Sequence, residues 1–229
     1  MNRQGSLTLR PAAPEDLDAL VRLEKSIEHA LPSRDIFATD ERPFYEPIVC
    51  GQGNILLAVD AHGELAGASV IRFPAPDDPE HLGRILHLPE TLLRSVRHLE
   101  SIFVRPEDRG RGLAETLLHE NMRLTAASGR TLSMATVWPG NTVSLRLHFR
   151  AGLCVCAFAR KYGGRPRFIL AGGPQRPRLE SVPLLIPAAD VETQRKALAQ
   201  GYVGFRVQGE TLLYARLHGQ SLLGWLETP

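Results

Sequence analysis

Cysteine is scarce in this 229-residue chain, and the little present follows no pairing pattern. The three, Cys50, Cys154 and Cys156, are odd in number, and no Cys-x-x-Cys occurs. A disulfide scaffold is therefore excluded, no metal is expected, and buried thiols in a reducing compartment (the cytoplasm by default) are the reading. Long hydrophobic runs are missing too, which excludes a membrane-spanning helix. The opening Met1-Asn-Arg-Gln-Gly-Ser6 lacks the apolar centre of a signal peptide. Charge of one sign is not in excess either: 27 Lys and Arg against 25 Asp and Glu leave +2, too little to argue for a nucleic-acid partner. What remains is the composition of a soluble globular protein, long enough for one sizeable core with something over.

Two phosphate-loop signatures are also absent. No Gly-Lys-Ser or Gly-Lys-Thr exists for a P-loop, and no Gly-x-Gly-x-x-Gly for a dinucleotide turn. Yet Val104-Arg-Pro-Glu-Asp-Arg109-Gly110-Arg111-Gly112-Leu113-Ala114 runs from an expected strand (97–104) through two glycines into a strongly helical stretch. Glycines at the mouth of a helix leave its first N–H groups uncovered at the positive end of the dipole, where phosphate oxygens fit. Arg109 and Arg111 add positive charge beside them. An ordinary strand–turn–helix connection accounts for the glycines equally well.

Elsewhere apolar periodicity alternates between strand and helix. Strands are expected at 7–10, 55–59, 66–73, 131–137, 155–160 and 168–171. Pro14 opens a helix to about Ala30 with Leu17, Leu20, Val21 and Leu23 as its stripe. A second helix, 112–128, turns Leu113, Leu117, Leu118 and Met122 inward and stops at Gly129. On a third, Val143, Leu147 and Ala151 recur at i, i+4 and i+8. Residues 172–180 have linker chemistry, Gly and Pro with charge and no periodicity. Beyond them come a strand at 182–186, a helix from Asp190 to about Ala199, and a hairpin of 202–207 with 211–217.

The segment Asn141-Thr-Val-Ser144-Leu-Arg-Leu147-His148-Phe-Arg-Ala-Gly152-Leu153 gives the glycine turn its meaning. Together the two segments resemble the GNAT superfamily, the acetyl-CoA-dependent N-acyltransferases. Arg109-x-x-Gly112-x-Ala114 stands for that family's Arg/Gln-x-x-Gly-x-Gly/Ala turn. Asn141, Ser144, Leu147, His148 and Gly152 keep the spacing of its second signature. His148 replaces the usual Tyr, and Leu153 the usual Phe. The resemblance spans roughly residues 6 to 171. It implies an α/β fold of mixed, mostly antiparallel twisted sheet with helices on both faces. The domain reading is then an acyltransferase domain at 1–171, a linker at 172–180, and a small α+β extension at 181–229. That extension would pack on the main domain or on a second copy of the chain.

The resemblance also implies an N-acetyltransferase that uses acetyl-CoA as cosubstrate. Arg109 to Ala114, including Gly110, Arg111, Gly112 and Leu113, would wrap the pyrophosphate. The backbone of Ile102, Phe103 and Val104 would hold the pantetheine where this strand splays from the next. Asn141 and Ser144 would assist, although Asn141 is also a preferred helix cap. An amine with an ordinary pKa of about 10.4 must lose a proton before it attacks. Glu100, or failing it His98, both on one face of the expected strand, would collect that proton. His148 would return one to the leaving thiolate, with Tyr162 as rival donor. The acceptor would be a small-molecule or peptide amine. The loop from Glu28 to Glu46, with Asp35, Asp40, Glu41, Phe37, Phe44 and Tyr45, is where the family builds its acceptor pocket, and acid plus aromatic suits a cation. A module that binds acyl-CoA without catalysis is the alternative, left open by the missing Tyr.

Overall fold

Apolar residues at period two and period 3.6 become ten strands and eight helices in the computed structural model, which describes residues 7–227 except 32, 34, 35 and 38. In chain order these are β1 (Thr8–Pro11), α1 (Leu17–His29), α2 (Arg42–Pro47), β2 (Gly53–Val59), β3 (Leu65–Arg72), α3 (Leu82–Ile85) and α4 (Glu90–Leu93). Next come β4 (Val96–Val104), α5 (Leu113–Leu124), β5 (Leu132–Val137), α6 (Thr142–Arg150), β6 (Cys154–Lys161) and β7 (Arg165–Gly172). The chain ends with β8 (Leu184–Pro187), α7 (Val191–Ala199), β9 (Tyr202–Gln208), β10 (Thr211–Arg216) and α8 (Leu222–Glu227). Among the described residues no helix is long and apolar enough to cross a membrane.

The chain gathers into two compact units, 1–73 with 99–128 and 74–98 with 129–229, so β4 begins in the second and ends in the first. In the first unit the strand order is β1-β2-β3-β4. β1 and β2 pair antiparallel from Thr8↔Val59 to Pro11↔Leu56, and β2 and β3 from Gly53↔Arg72 to Val59↔Leu65. One face buries Leu17, Leu20 and Ile27 of α1 with Tyr45, Ile48, Ile55, Leu57, Val70 and Phe103. Another cluster joins Leu56, Ala58 and Ala66 to Val104, Leu113 and Leu117. Gly67 permits this second packing. A Cβ there would stand 2.7 Å from the Phe103 carbonyl oxygen and 3.3 Å from Leu117 Cδ1. Any side chain at 67 would push β3 away from β4 and α5.

Two helices of the first unit differ from expectation on their buried faces. On α1 the fully buried positions are Leu17, Leu20, Glu24 and Ile27, so a carboxylate completes the apolar stripe. On α5 Asn121 takes the inward place expected of Met122. Its amide donates to Ser69 O at 2.7 Å, and its Oδ1 accepts from Asn54 Nδ2 at 2.8 Å. These bonds tie α5 to β2 and β3 and satisfy a polar group that burial would otherwise penalise.

In the second unit the order is β4-β5-β7-β6-β9-β10-β8. The β4–β5 pair is parallel, Val96↔Leu132 to His98↔Met134, whereas β5–β7, β7–β6, β6–β9, β9–β10 and β10–β8 run antiparallel. Strand pairing across the protein is thus mixed and mostly antiparallel. The α6 stripe is not the one expected: Val143 is 75% exposed, and the buried residues are Leu145, His148 and Phe149. These three also obey i, i+3, i+4 spacing, and their larger face includes an aromatic ring.

Residues 172–180 are held along much of their length. Leu179 bridges Leu217, Glu180 N–H donates to Arg216 O at 3.0 Å, and His218 N–H donates to Arg178 O at 2.8 Å. The helix α8, with no forewarning in the sequence reading, places Trp225 in the core. Trp225 Nε1 donates to Gln175 O at 2.9 Å. Strand β9 joins β6 at Val155↔Gly204, and Asp190 caps α7 by accepting from Thr193 N–H at 3.0 Å.

Candidate active site

In the first unit the residues after β4 form a braced turn. Arg105 N–H donates to Ala66 O at 2.8 Å, and its guanidinium donates to Asp108 at 2.8 Å and Asp60 at 3.2 Å. Arg109 Nε donates to Val104 O at 3.0 Å, folding that side chain back along the turn. Gly110 and Gly112 then adopt φ of +78° and +77°, a left-handed conformation unfavourable to side chains. A Cβ built on either meets nothing within 4 Å. Gly112 is the N-cap of α5, and no side chain caps that terminus. Arg111 lies half exposed, 3.8 Å from Asp108. The turn therefore presents an uncapped helix N-terminus, open space at both glycines, and a cation beside them. That combination fits a phosphate group.

Upstream on the same strand, Glu100 accepts a hydrogen bond from Arg72 Nε at 2.6 Å, and both side chains are mostly shielded. Asp40 lies close enough to feel both of their charges. Burial first, and then the Glu100 carboxylate, push Asp40 up to about 6. Asp40 N–H donates to Glu24 Oε2 at 3.3 Å, and Tyr45 Oη donates to the same oxygen at 2.6 Å. Glu24 is 0% exposed, and burial pushes it up to about 7. Its Oε1 is the one buried side-chain oxygen or nitrogen without a partner among the described residues. Phe44 stacks edge-on against Tyr45 at 5.2 Å, and Phe37 against Phe103 at 5.9 Å. Asp35, also expected in this loop, lies outside the described residues.

The sequence reading missed Glu24 and Arg72. Glu24 carried a signal, since it falls seven residues after Leu17 and four after Leu20, on the apolar stripe. Arg72 carried none: the end of a hairpin strand does not reveal which neighbour its side chain meets.

In the second unit His98 is buried, and its Nε2 accepts the Leu82 N–H at 3.2 Å. A neutral imidazole has one acceptor nitrogen, and here it is taken, so the expected second-choice base has no lone pair to offer. The ring of His81 packs against it at 5.3 Å. Glu100 and His98 alternate along one strand as expected, but each has a hydrogen-bond partner in its own unit, Arg72 for one and Leu82 for the other.

Asn141 caps α6, its Oδ1 accepting from Ser144 N–H at 3.0 Å. His148 Nδ1 lies 2.8 Å from Ser144 O and 3.3 Å from Ser144 Oγ. A carbonyl can only accept, so Nδ1 carries the proton in that bond. Burial lowers the pKa of this ring, so at neutral pH it holds a single proton already committed to Ser144. The expectation that His148 donates to a thiolate meets that physical obstacle. Tyr162, by contrast, is 47% exposed, and its hydroxyl lies 3.1 Å from Thr136 Oγ1 on β5. Arg167 stands over its ring at 5.4 Å. Among the described residues no group of three or more His, Cys, Asp or Glu is placed to hold a metal ion.

Residues 24–153 match the model of the acetyltransferase (GNAT) family. No curated protein matches the chain in a sequence search. Several solved structures share the fold. The ribosomal-protein-S18-alanine N-acetyltransferase of Escherichia coli aligns over 74% of this chain and 95% of its own, at 16% identity and TM-score 0.55. A provisionally assigned acetyltransferase of Salmonella typhimurium, solved with its cofactor acetyl-CoA, covers 74% and 94% at 20% identity and TM-score 0.55. The NatC complex bound to Gag peptide and CoA covers 73% and 98% at 13% identity and TM-score 0.57. At these identities the likeness is one of fold.

Proposed function

The chain belongs to the acetyltransferase (GNAT) family, and from that membership we propose that it transfers the acetyl group of acetyl-CoA to a primary amine by direct attack. The observation that carries this reading is the uncapped N-terminus of α5 behind Gly110 and Gly112. Backbone N–H groups there, with Arg109 and Arg111, would hold the pyrophosphate, and the backbone of Ile102, Phe103 and Val104 the pantetheine. Asn141 and Ser144 are assigned to the same cosubstrate. When bound, acetyl-CoA supplies a thioester carbonyl with a thiolate leaving group.

Glu100 is the proposed base. Arg72 fixes one of its oxygens, so the carboxylate is oriented before the amine arrives. Asp40 beside it offers a second carboxyl whose pKa of about 6 lies nearer the working range than that of a solvated aspartate. For the acid, Tyr162 is preferred to His148, because it is a half-exposed residue whereas His148 is buried with its proton bonded to Ser144. Free thiol released from acetyl-CoA in the presence of a panel of amines tests the reaction.

One observation favours the non-catalytic alternative: His98 and His148, two of the four side chains expected to move protons, are buried with ring nitrogens engaged internally. Acetyl-CoA binding without thiol release across the whole panel would select that reading.

A further inference from the structure

Direct transfer requires one proton acceptor, yet the first unit brings Glu24, Asp40 and Glu100 to one neighbourhood, with Glu28 also close to Glu24 and the Arg72 guanidinium close to Asp40 and Glu100. Glu24 is the informative member. It occupies a helix face otherwise made of Leu17, Leu20 and Ile27, where an apolar residue would pack without penalty. It is 0% exposed, one oxygen is bound by Tyr45 and the Asp40 amide, and the other, Oε1, has no partner among the described residues. A buried carboxyl left half-satisfied is a standing destabilisation unless something with N–H donors and positive charge completes it. The surroundings suit such a guest. Tyr45, which bonds Glu24, belongs to the same buried cluster as Phe37, Phe44 and Phe103, and aromatic neighbours favour a cation.

Resting on the acyl-transfer reading above, we propose that Glu24, Asp40 and Glu100 form an ammonium-binding subsite for the acceptor, which therefore carries a second, non-reacting cationic amine. One nitrogen, deprotonated, attacks the thioester; the other stays protonated against the acidic cluster and fixes the reacting end. Burial now holds protons on Glu24 and Asp40 near pH 6 to 7, and an arriving ammonium stabilises their ionised forms. Binding at that pH accordingly releases protons.

The test pairs 1,4-diaminobutane with 1-aminobutane on the full chain, in the parent and in Glu24→Gln and Asp40→Asn. Direct binding is read by calorimetry in buffers of different ionisation enthalpy, and turnover by thiol release from acetyl-CoA. The expected result is roughly 10- to 100-fold tighter binding of the diamine by the parent, with proton release, and collapse of that preference in both variants. Glu24→Gln keeps the shape and removes a buried charge, so it folds. Equal binding of the two amines by the parent, or a preference that survives Glu24→Gln, overturns the subsite. Diamine preference with no thiol release from any amine keeps the subsite and rejects acyl transfer. Turnover of amines without diamine preference does the reverse.

Discussion

The phenol of Tyr45 donates to Glu24 at 2.6 Å, so the one carboxylate in the buried stripe of α1 is held from α2. With Glu24 raised from an ordinary 4.5 to about 7 by burial, stability depends on pH in a defined direction. Below 4.5 the carboxyl is protonated in folded and unfolded chains alike. Between 4.5 and about 7 only the unfolded chain ionises, and stability falls as pH rises. Above 7 the loss is complete, on the order of 3 kcal/mol from this group. Urea titrations from pH 4 to 8 should show Glu24→Gln gaining on the parent across that window. Parallel curves would mean that Glu24 ionises in the folded protein without penalty.

At the turn, Gly112→Glu should abolish acetyl-CoA binding by putting bulk and negative charge into open space at the α5 terminus. The φ of +77° adds strain of roughly 1–2 kcal/mol for any side chain, so Gly112→Ala is the control. Calorimetry should find the alanine variant binding and the glutamate variant silent, both folded. Unchanged affinity in Gly112→Glu would remove the turn from the cosubstrate site.

Replacing Glu100 by Gln preserves an acceptor for Arg72 while deleting the base. The expected loss in kcat is about 10²- to 10⁴-fold, with acetyl-CoA affinity intact. A variant within twofold of the parent would move the proton acceptor elsewhere, and Asp40→Asn is the next measurement.

For the acid, pH–rate profiles of the parent, His148→Phe and Tyr162→Phe should separate the two candidates. The alkaline limb should be unchanged in His148→Phe, because the buried imidazole is already neutral before that range and its one proton is held on Nδ1 by the Ser144 carbonyl. It should disappear or shift in Tyr162→Phe. The opposite pattern would restore His148 as donor.

In the second unit Trp225→Ala should destabilise by about 3–5 kcal/mol, the usual loss for a buried Trp. Deleting everything after Gly173 removes β9 from β6 and should cause aggregation or a changed oligomeric state. A soluble truncation with the parent's melting point and activity would show that the tail is dispensable.

The sequence was most legible where local chemistry suffices. Strand and helix periods located the ten strands and the four longest helices but not the short α2, α3, α4 and α8, Gly110 and Gly112 marked the turn, and Asn141 and Asp190 marked helix caps that the structure contains. It was least legible where a residue's meaning depends on distant partners. Nothing local tells that Leu82 N–H consumes the lone pair of His98, or that Arg72 meets Glu100 from a strand 28 residues earlier. On α6 two apolar stripes compete, and the proton-donor role of His148 rests only on its standing where the family has Tyr; the ring packs beside Leu145 and Phe149 on the inward face. Helix α8 is short, and without a periodic run its Trp225 gave no sign of the core it fills.

The division of β4 between two units also sets an order of assembly. Each unit consists of two separate stretches of chain, so neither can close from a contiguous segment emerging from the ribosome. Strands β3 and β4 must find each other across residues 74–98, while Leu82, Leu93 and Val96 await core partners as late as Leu217 and Trp225. Non-local contacts of this kind raise contact order and slow folding, and they leave apolar surface uncovered in the meantime. The second core is therefore complete only when α8 has left the exit tunnel and brought Trp225 and Leu226 to residues that emerged long before.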